Sequence, residues 1–325
     1  MINSLSKKVI QQIEQEVQLE TNNEEIHNVY HFTSVSALHS IIENNSIRLT
    51  DCTFMNDRYE YIECLKMVIS TAKEMLKERE PNTKYNEILI EMQEYYNERV
   101  KEYISNLNDG WYRSFYILSM STISDSIPMW NYYSNSSGIC IEFDKAELYD
   151  MFSKKVDLSN NPKAMREVNI RQFRCLYDES SKKKLIRKMI EISLPEIAES
   201  YSVDEQKKRS GLYVYFSNTI RNFSHIFKRA EFIYENEYRF VIDFCKNTNP
   251  KEKLEHIDKG FYSTPDTIRS CITVKFDKNL PIRAIYISPT NINETVVRGI
   301  KLLLEYYGYD DIKIEKKQMS LRANY

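Results

Sequence analysis

Three patches of the chain hold residue types able to do chemistry. The first is YHFTS, with His31, Thr33 and Ser34, together with the later FMNDRYEY, which holds Asn56 and Asp57. The second is IPMWNYYSNSSGICIEFD, with Trp130, Tyr132 and Tyr133, and the third is FKRAEFIYENEYRFVI. In ENEYR an extended backbone turns alternate side chains to one face, so Glu235, Glu237 and Arg239 are expected side by side, just before the apolar run FVIDF. Two carboxylates and a guanidinium at the mouth of a buried strand are costly to desolvate unless they pair or bind something. Such a cluster can shift a carboxylate pKa or aim the carboxylate at a developing cation.

Each patch also has a purely structural explanation. His31 alternates with Tyr30 and Phe32 and so lies on the opposite face of its strand. Asn56 and Asp57 are good caps for a following helix. Trp130, Tyr132 and Tyr133 suit core packing of a short helix, and a solvated face with an ion pair accounts for Glu235, Glu237 and Arg239.

The elements that must position these residues follow from periodicity. Val9, Ile10, Ile13 and Val17 recur at helical spacing over residues 3–20. A short strand at Val29–Phe32 leads to Ser34, a helix cap, and then to a helix with apolar face Leu38, Ile41 and Ile42, ended by Asn44–Asn45. A strand at Ile47–Leu49 and two long helices, about 59–79 and 86–107, follow. WYRSFYILSMST reads as a buried strand, Pro128 begins a short helix, and Gly138 opens the strand ICIEF. A second helical stretch, about 185–229, contains Ser202 and Glu205 at capping-box spacing. Strands YRFVIDFC, SCITVKF and RAIYIS, a helix ending at Tyr307–Gly308 and an edge strand DIKIEK complete the chain. Strands at the start, middle and end with helices inserted between them make an α+β pattern. The expected organisation is an N-terminal helix (1–26) and one domain (27–325) with helical insertions at about 58–107 and 180–229.

Composition narrows the function. The chain has 325 residues, 42% hydrophobic and 12% aromatic, which belongs to a globular protein. A formal charge of −2 gives no global field toward nucleic acid or an anionic membrane. No apolar run approaches a membrane span, the N-terminus lacks the apolar core of a signal peptide, and scattered cysteines fit a reduced cytoplasm. Six glycines leave no phosphate-binding P-loop and no G-x-G-x-x-G.

The combination of YHFTS, FMND..E, PMWNYYSNSSGICIEFD and ENEYR resembles a widespread bacterial family of uncharacterised proteins. Its members share an H-x-T-S strand, an N-D-x-x-E loop, a W-x-x-Y…G strand and an E-x-E-x-R strand. The likeness runs from about Tyr30 to Arg322. The opening strand and helix further resemble ADP-ribosyltransferase-like proteins. That resemblance implies a split two-sheet core, NAD as substrate and no metal. It places His31 on the ribose, Tyr133 or Tyr132 on the nicotinamide, and Glu237 as the catalytic carboxylate. Glu235 would position an acceptor, and Arg239 would orient the glutamates or bind a phosphate. Thr33 shapes the strand end, while Asn56, Asp57 and Trp130 stand nearby. A transferase branch with an E-x-E pair opens with arginine where this chain has His31, so the two likenesses differ there.

The chemistry suits these residue types. Cleaving the nicotinamide–ribose bond passes through an oxocarbenium-like sugar, which a carboxylate stabilises. The implied function is an NAD-dependent ADP-ribosyltransferase or NAD glycohydrolase, acting as a toxin or in phage defence. Its acceptor would be a protein, a nucleic acid or water. A non-catalytic nucleotide- or nucleic-acid-binding protein is the alternative, with KKKLIRK (182–188), QKKRS (206–210), Arg221, Lys228 and Arg229 as possible phosphate contacts against a solvated face as the simpler account.

Overall fold

A computed structural model describes residues 5–21, 23–55, 60–80, 83–105, 115–134, 137–159, 168–200, 216–244, 256–264 and 266–318. The chain runs through α1 (Lys7–Thr21), β1 (Asn28–Thr33), α2 (Val35–Asn44), β2 (Ser46–Asp51), α3 (Glu60–Lys77) and α4 (Lys84–Ser105). It continues with β3 (Phe115–Ser121), α5 (Ile127–Tyr133), β4 (Ile139–Asp144), α6 (Lys145–Ser159) and β5 (Val168–Arg174). Next come α7 (Glu179–Ser200), α8 (residues 216–223) and β6 (Glu237–Phe244). The last elements are β7 (Ile257–Ser263), β8 (Ile268–Lys275), β9 (Ile282–Ile287), α9 (Val296–Tyr306) and β10 (Lys313–Lys316).

Two compact units emerge: Met1–Asn23, Asn56–Trp111 and Cys175–Ala230 form one, and Glu24–Met55, Tyr112–Arg174 and Glu231–Tyr325 the other. The first unit is helical. Its helices bury Ile13 and Val17 of α1, Leu65 and Val68 of α3, Leu89 and Met92 of α4, and Ile186 and Ile190 of α7. The basic run in α7 is neutralised locally: Lys183 pairs with Glu74 at 3.3 Å, Arg187 with Glu78 at 2.7 Å and Lys188 with Glu16 at 3.2 Å. Lys184 is likewise bound to Glu20. The 182–188 stretch considered for phosphate contacts thus presents a salt-bridged helix face, while 206–210 lies outside the described residues.

The second unit is a mixed α/β structure built on a ten-stranded mixed sheet. Antiparallel pairs dominate, and β9–β10 runs parallel. Local signals set the entry to it. The Ser34 side chain accepts a hydrogen bond from the Ala37 amide, and Asn45 ends α2 in the left-handed region at φ 42°. One face of the sheet carries Val29, Leu49, Leu118, Ile141, Phe240, Ile272 and Ile285. Leu38, Leu148, Phe152, Ile300 and Leu304 from α2, α6 and α9 join them in one core.

The sheet forks at β3. One edge of β3 pairs along its length with β6, from Phe115 opposite Asp243 to Ser121 opposite Glu237. The other edge is divided: β2 takes Tyr116 and Ile117, and β1 meets it at Ser121. The spine β3–β6–β5 therefore carries two arms, β1–β4–β9–β10 and β2–β8–β7. Strand β6 is the E-x-E-x-R strand, but it begins at Glu237. Glu235 lies in a 3-10 turn, and Asn236 between them has φ 42°. The expected single-face row of Glu235, Glu237 and Arg239 is thus broken by a left-handed residue, a conformation asparagine tolerates better than most side chains.

Among the described residues no helix is long and apolar enough to cross a membrane. No three His, Cys, Asp or Glu side chains converge on a point among the described residues, and Cys52, Cys64, Cys140, Cys175 and Cys271 carry free thiols.

Candidate functional site

The site is built on the face of the forked sheet opposite the main core. Register places Ser121 beside Glu237, and Ser119 beside Arg239, on that face. Tyr30 pairs with Ser121, so Tyr30 and Phe32 share it too. Two fully enclosed charges meet here: Arg239 donates from Nε and Nη2 to the two carboxylate oxygens of Glu237, both at 2.8 Å. Arg239 is 0% and Glu237 2% exposed, so each charge offsets much of the other's cost of burial. Arg239 thus orients Glu237.

Glu235 is recruited by a second route. Ser121 Oγ donates to the Glu235 carbonyl at 2.8 Å, and the Thr122 amide donates to the Asn236 carbonyl at 2.8 Å. These bonds fasten the turn to the end of β3, and the Glu235 carboxylate accepts from the Tyr133 hydroxyl at 2.6 Å. The two glutamates sit on either side of the left-handed residue, each with its own donor.

Helix α5 presents the tyrosines. Tyr133 turns inward to Glu235, whereas Tyr132 is 73% exposed. Trp130 does not line a cleft: it is buried, meets Phe32 edge-on at 5.0 Å and donates Nε1 to the Ser124 carbonyl at 3.2 Å. It packs in the cluster against which Tyr133 lies. Gly138 anchors the start of β4, where a Cβ would stand 2.3 Å from the Thr33 carbonyl and 2.5 Å from that of Ser134. Only glycine permits this approach. Thr33 pairs with Ile139 at the strand end.

His31 lies elsewhere. It pairs with Ile141 and shares its face with Val29, so its side chain belongs to the core side of β1, opposite Tyr30 and Phe32. Its imidazole is hydrogen bonded to the main chain of Ser119, at the point where β1 and β2 have parted from β3. Burial holds its pKa below the ordinary value, and this bond opposes that shift more weakly. The imidazole bridges the fork, so the grouping of His31 with Glu237 and Tyr133 at one point is not what register gives. Asn56 and Asp57 lie outside the described residues.

The sequence reading missed one cluster on the same face. Glu142 on β4 accepts from the Tyr286 hydroxyl and from Asn28 Nδ2, each at 2.6 Å. Lys317 stands 4.2 Å from the Tyr286 ring centre, donates to Ser124 Oγ at 2.9 Å and pairs with Asp125 at 2.7 Å. Tyr30 is tilted against Tyr286, with ring centres 6.5 Å apart. Burial, with Glu142 nearby, pushes the Tyr30 hydroxyl up to about 12. Tyr30, Tyr133 and Tyr286 all pack, partly buried, against Phe32, Met129, Trp130 and Cys140. The available signal was the alternation of Tyr286 with Ile285 and Ile287 in RAIYIS.

Residues 129–240 match a family described as a protein of unknown function (DUF2971). The matched stretch begins within α5 and ends just beyond Arg239, so it takes in the W-x-x-Y…G and E-x-E-x-R patches. No curated protein and no solved structure matches the chain.

Proposed function

We propose that the second unit is an ADP-ribosyltransferase-like domain that cleaves the nicotinamide–ribose bond of NAD. The observation that carries the reading is the pair of glutamates around Asn236, one tied to Arg239 and the other to Tyr133, on a sheet that divides into two arms. An arginine bound through both carboxylate oxygens favours the ionised form of Glu237. An ionised carboxylate is what a developing oxocarbenium ion requires.

In this reading the C1′–N1 bond breaks with its electron pair leaving on the nicotinamide nitrogen, so nicotinamide departs neutral and needs no general acid. Glu237 stabilises the cation on the sugar. Glu235, placed by Tyr133, takes the proton from the attacking water or acceptor hydroxyl as the new bond to C1′ forms. Tyr133 borders the nicotinamide ring, and Arg239 positions Glu237. His31 supports the fork through Ser119 and does not touch the ribose.

The test is nicotinamide released from NAD by the purified protein, with and without cell extract, for wild type, Glu237→Gln and Glu235→Gln. Wild type is expected to release nicotinamide, and Glu237→Gln to lose it by about 10²-fold or more. Release unaffected by Glu237→Gln, or none from wild type, removes the reading. The near-complete enclosure of Glu237 and Arg239 favours a second reading, a nucleotide-binding domain without turnover. NAD binding measured calorimetrically, with no nicotinamide produced, would establish it.

A further inference from the structure

The arm β2–β8–β7 carries a group of side chains that no role above uses. Register sets Thr50 opposite Cys271 and Cys271 opposite Gly260, and sets Arg269 opposite Tyr262. Thr50 also pairs with Ile117, so these residues lie on the face that holds Ser119, Arg239 and Glu237. Arg48, two residues before Thr50, shares that face.

The tyrosine is fixed, and the arginines are not held in ion pairs among the described residues. Tyr262 Oη and Thr50 Oγ1 are hydrogen bonded at 2.9 Å, and the Arg48 guanidinium lies 4.7 Å from the Tyr262 ring centre. An added Cβ on Gly260 would meet nothing within 4 Å, so the surface beside this stack is open. Among the described residues, neither Arg48 nor Arg269 has a carboxylate within ion-pair distance. Of the carboxylates nearby, Asp258 pairs with Lys275 at 3.4 Å, and Asp266, which feels the Arg269 charge without forming an ion pair, accepts from Thr264 Oγ1 at 2.7 Å. By contrast, Arg283 binds both Asp144 and Glu147 on the other arm.

Two enclosed donors on this face also lack an acceptor among the described residues: Arg269 Nε and Ser119 Oγ. An enclosed donor without a partner costs about 1–3 kcal/mol, which a ligand oxygen would recover. Planar guanidinium groups match phosphate oxygens, and stacking on tyrosine holds one of them in place at little further entropic cost.

We propose that this arm binds the diphosphate group of a nucleotide, with Arg48 and Arg269 as its charge partners and Tyr262 holding Arg48 in position. The small size of the group argues for a diphosphate over a nucleic-acid strand. Asp258 and Asp266 flank it, and they would repel a phosphodiester chain continuing past it. This deepens the NAD reading and rests on it only for the identity of the nucleotide.

The test is calorimetric titration of the full chain with inorganic pyrophosphate, ADP-ribose and nicotinamide riboside, which has no diphosphate. Wild type, Arg48→Ala/Arg269→Ala and Arg48→Lys are compared, with thermal melting to show that each is folded. The double variant should lose pyrophosphate and ADP-ribose affinity by about tenfold or more, with Arg48→Lys between it and wild type. Nicotinamide riboside should bind all three alike. Equal pyrophosphate affinity in wild type and double variant overturns the proposal. So does Arg48-dependent binding of a single-stranded oligonucleotide that is tighter than that of ADP-ribose. Diphosphate binding lost in the variant, with no nicotinamide released by any protein, keeps this site and removes glycosyl transfer.

Discussion

The two arms that leave β3, one of four strands ending in a parallel pair and one of three antiparallel strands, differ most in charge. On β1–β4–β9–β10 the site face holds tyrosines and a carboxylate. Glu142 is satisfied by Tyr286 and Asn28, and Lys317 is taken up by Asp125 and the Tyr286 ring. On β2–β8–β7 it holds Arg48 and Arg269 with only Tyr262 between them. An aromatic, acidic surface suits a flat cation, and guanidinium groups without an ion pair among the described residues suit a phosphate anion. A dinucleotide with a pyridinium at one end and a diphosphate in its middle carries both. The comparison also assigns the spine its task. Strands β3 and β6 hold Glu237 and Arg239 where the two surfaces meet, and their mutual neutralisation keeps either arm from setting the charge there.

The spine gives the largest expected effect. Arg239→Met would leave the Glu237 carboxylate enclosed without its guanidinium, at a cost of about 3–5 kcal/mol in urea unfolding. Adding Glu237→Gln removes the stranded charge, so the double variant should lie closer to wild type than Arg239→Met alone. A cost for Arg239→Met below about 1 kcal/mol would show that water reaches the pair, and the division into two arms around a dry spine would fail.

Much of this frame was legible in the sequence. Ser34, Asn45 and the 3.6-residue spacing of Leu38 and Ile42 announce α2, and the apolar run FVIDF announces β6. Strands β5 and β7 were not legible. VNIRQFR mixes Asn, Arg and Gln into an alternation that is half-buried on both faces, and IDKGFYS contains a glycine and only one buried residue. Helix α6 did announce itself through Leu148, Phe152 and Val156 at four-residue spacing, a stripe passed over beside the louder motifs. The fork is a fact of long-range pairing, which no local pattern encodes. It is also what moved His31 away from Glu237, since the face on which a strand residue sits is fixed only once its neighbours are known. Arg48 and Arg269 carry no pattern of their own in SIRL and TIRSC. What sets them apart is the stack of Arg48 on Tyr262 and the lack of an ion pair at either among the described residues.

A paired substitution sharpens the contrast on the tyrosine arm. Tyr133→Phe deprives the buried Glu235 carboxylate of its hydroxyl donor, and a hydrogen bond to a charged group is worth about 1.5–3 kcal/mol. Tyr286→Phe deprives Glu142 of one donor but leaves Asn28 in place, so its cost should be nearer 1 kcal/mol. Denaturant unfolding of the two variants compares them directly. If Tyr286→Phe costs more than Tyr133→Phe, the acidic centre of that arm is Glu142 and not the glutamate beside the spine.

The smallest expected effect belongs to the histidine that bridges the fork. Burial depresses the His31 pKa, so the folded protein keeps the imidazole neutral at a pH where the unfolded chain has begun to protonate it. Between the unfolded value near 6.5 and the lower folded value, the unfolded state binds more protons. The contribution of His31 to stability is therefore complete above about pH 6.5 and declines as the pH falls through that window. A single group changes stability by at most about 1.4 kcal/mol per pH unit. The measurement is Tm between pH 7.5 and 5 for wild type and His31→Asn. Wild type should lose stability through the acid side of this range with the larger slope, and His31→Asn should be lower at pH 7.5 but flatter below it. Parallel profiles would mean that burial does not hold the imidazole neutral in the folded protein, and the enclosed place given to His31 beside Ser119 would fail.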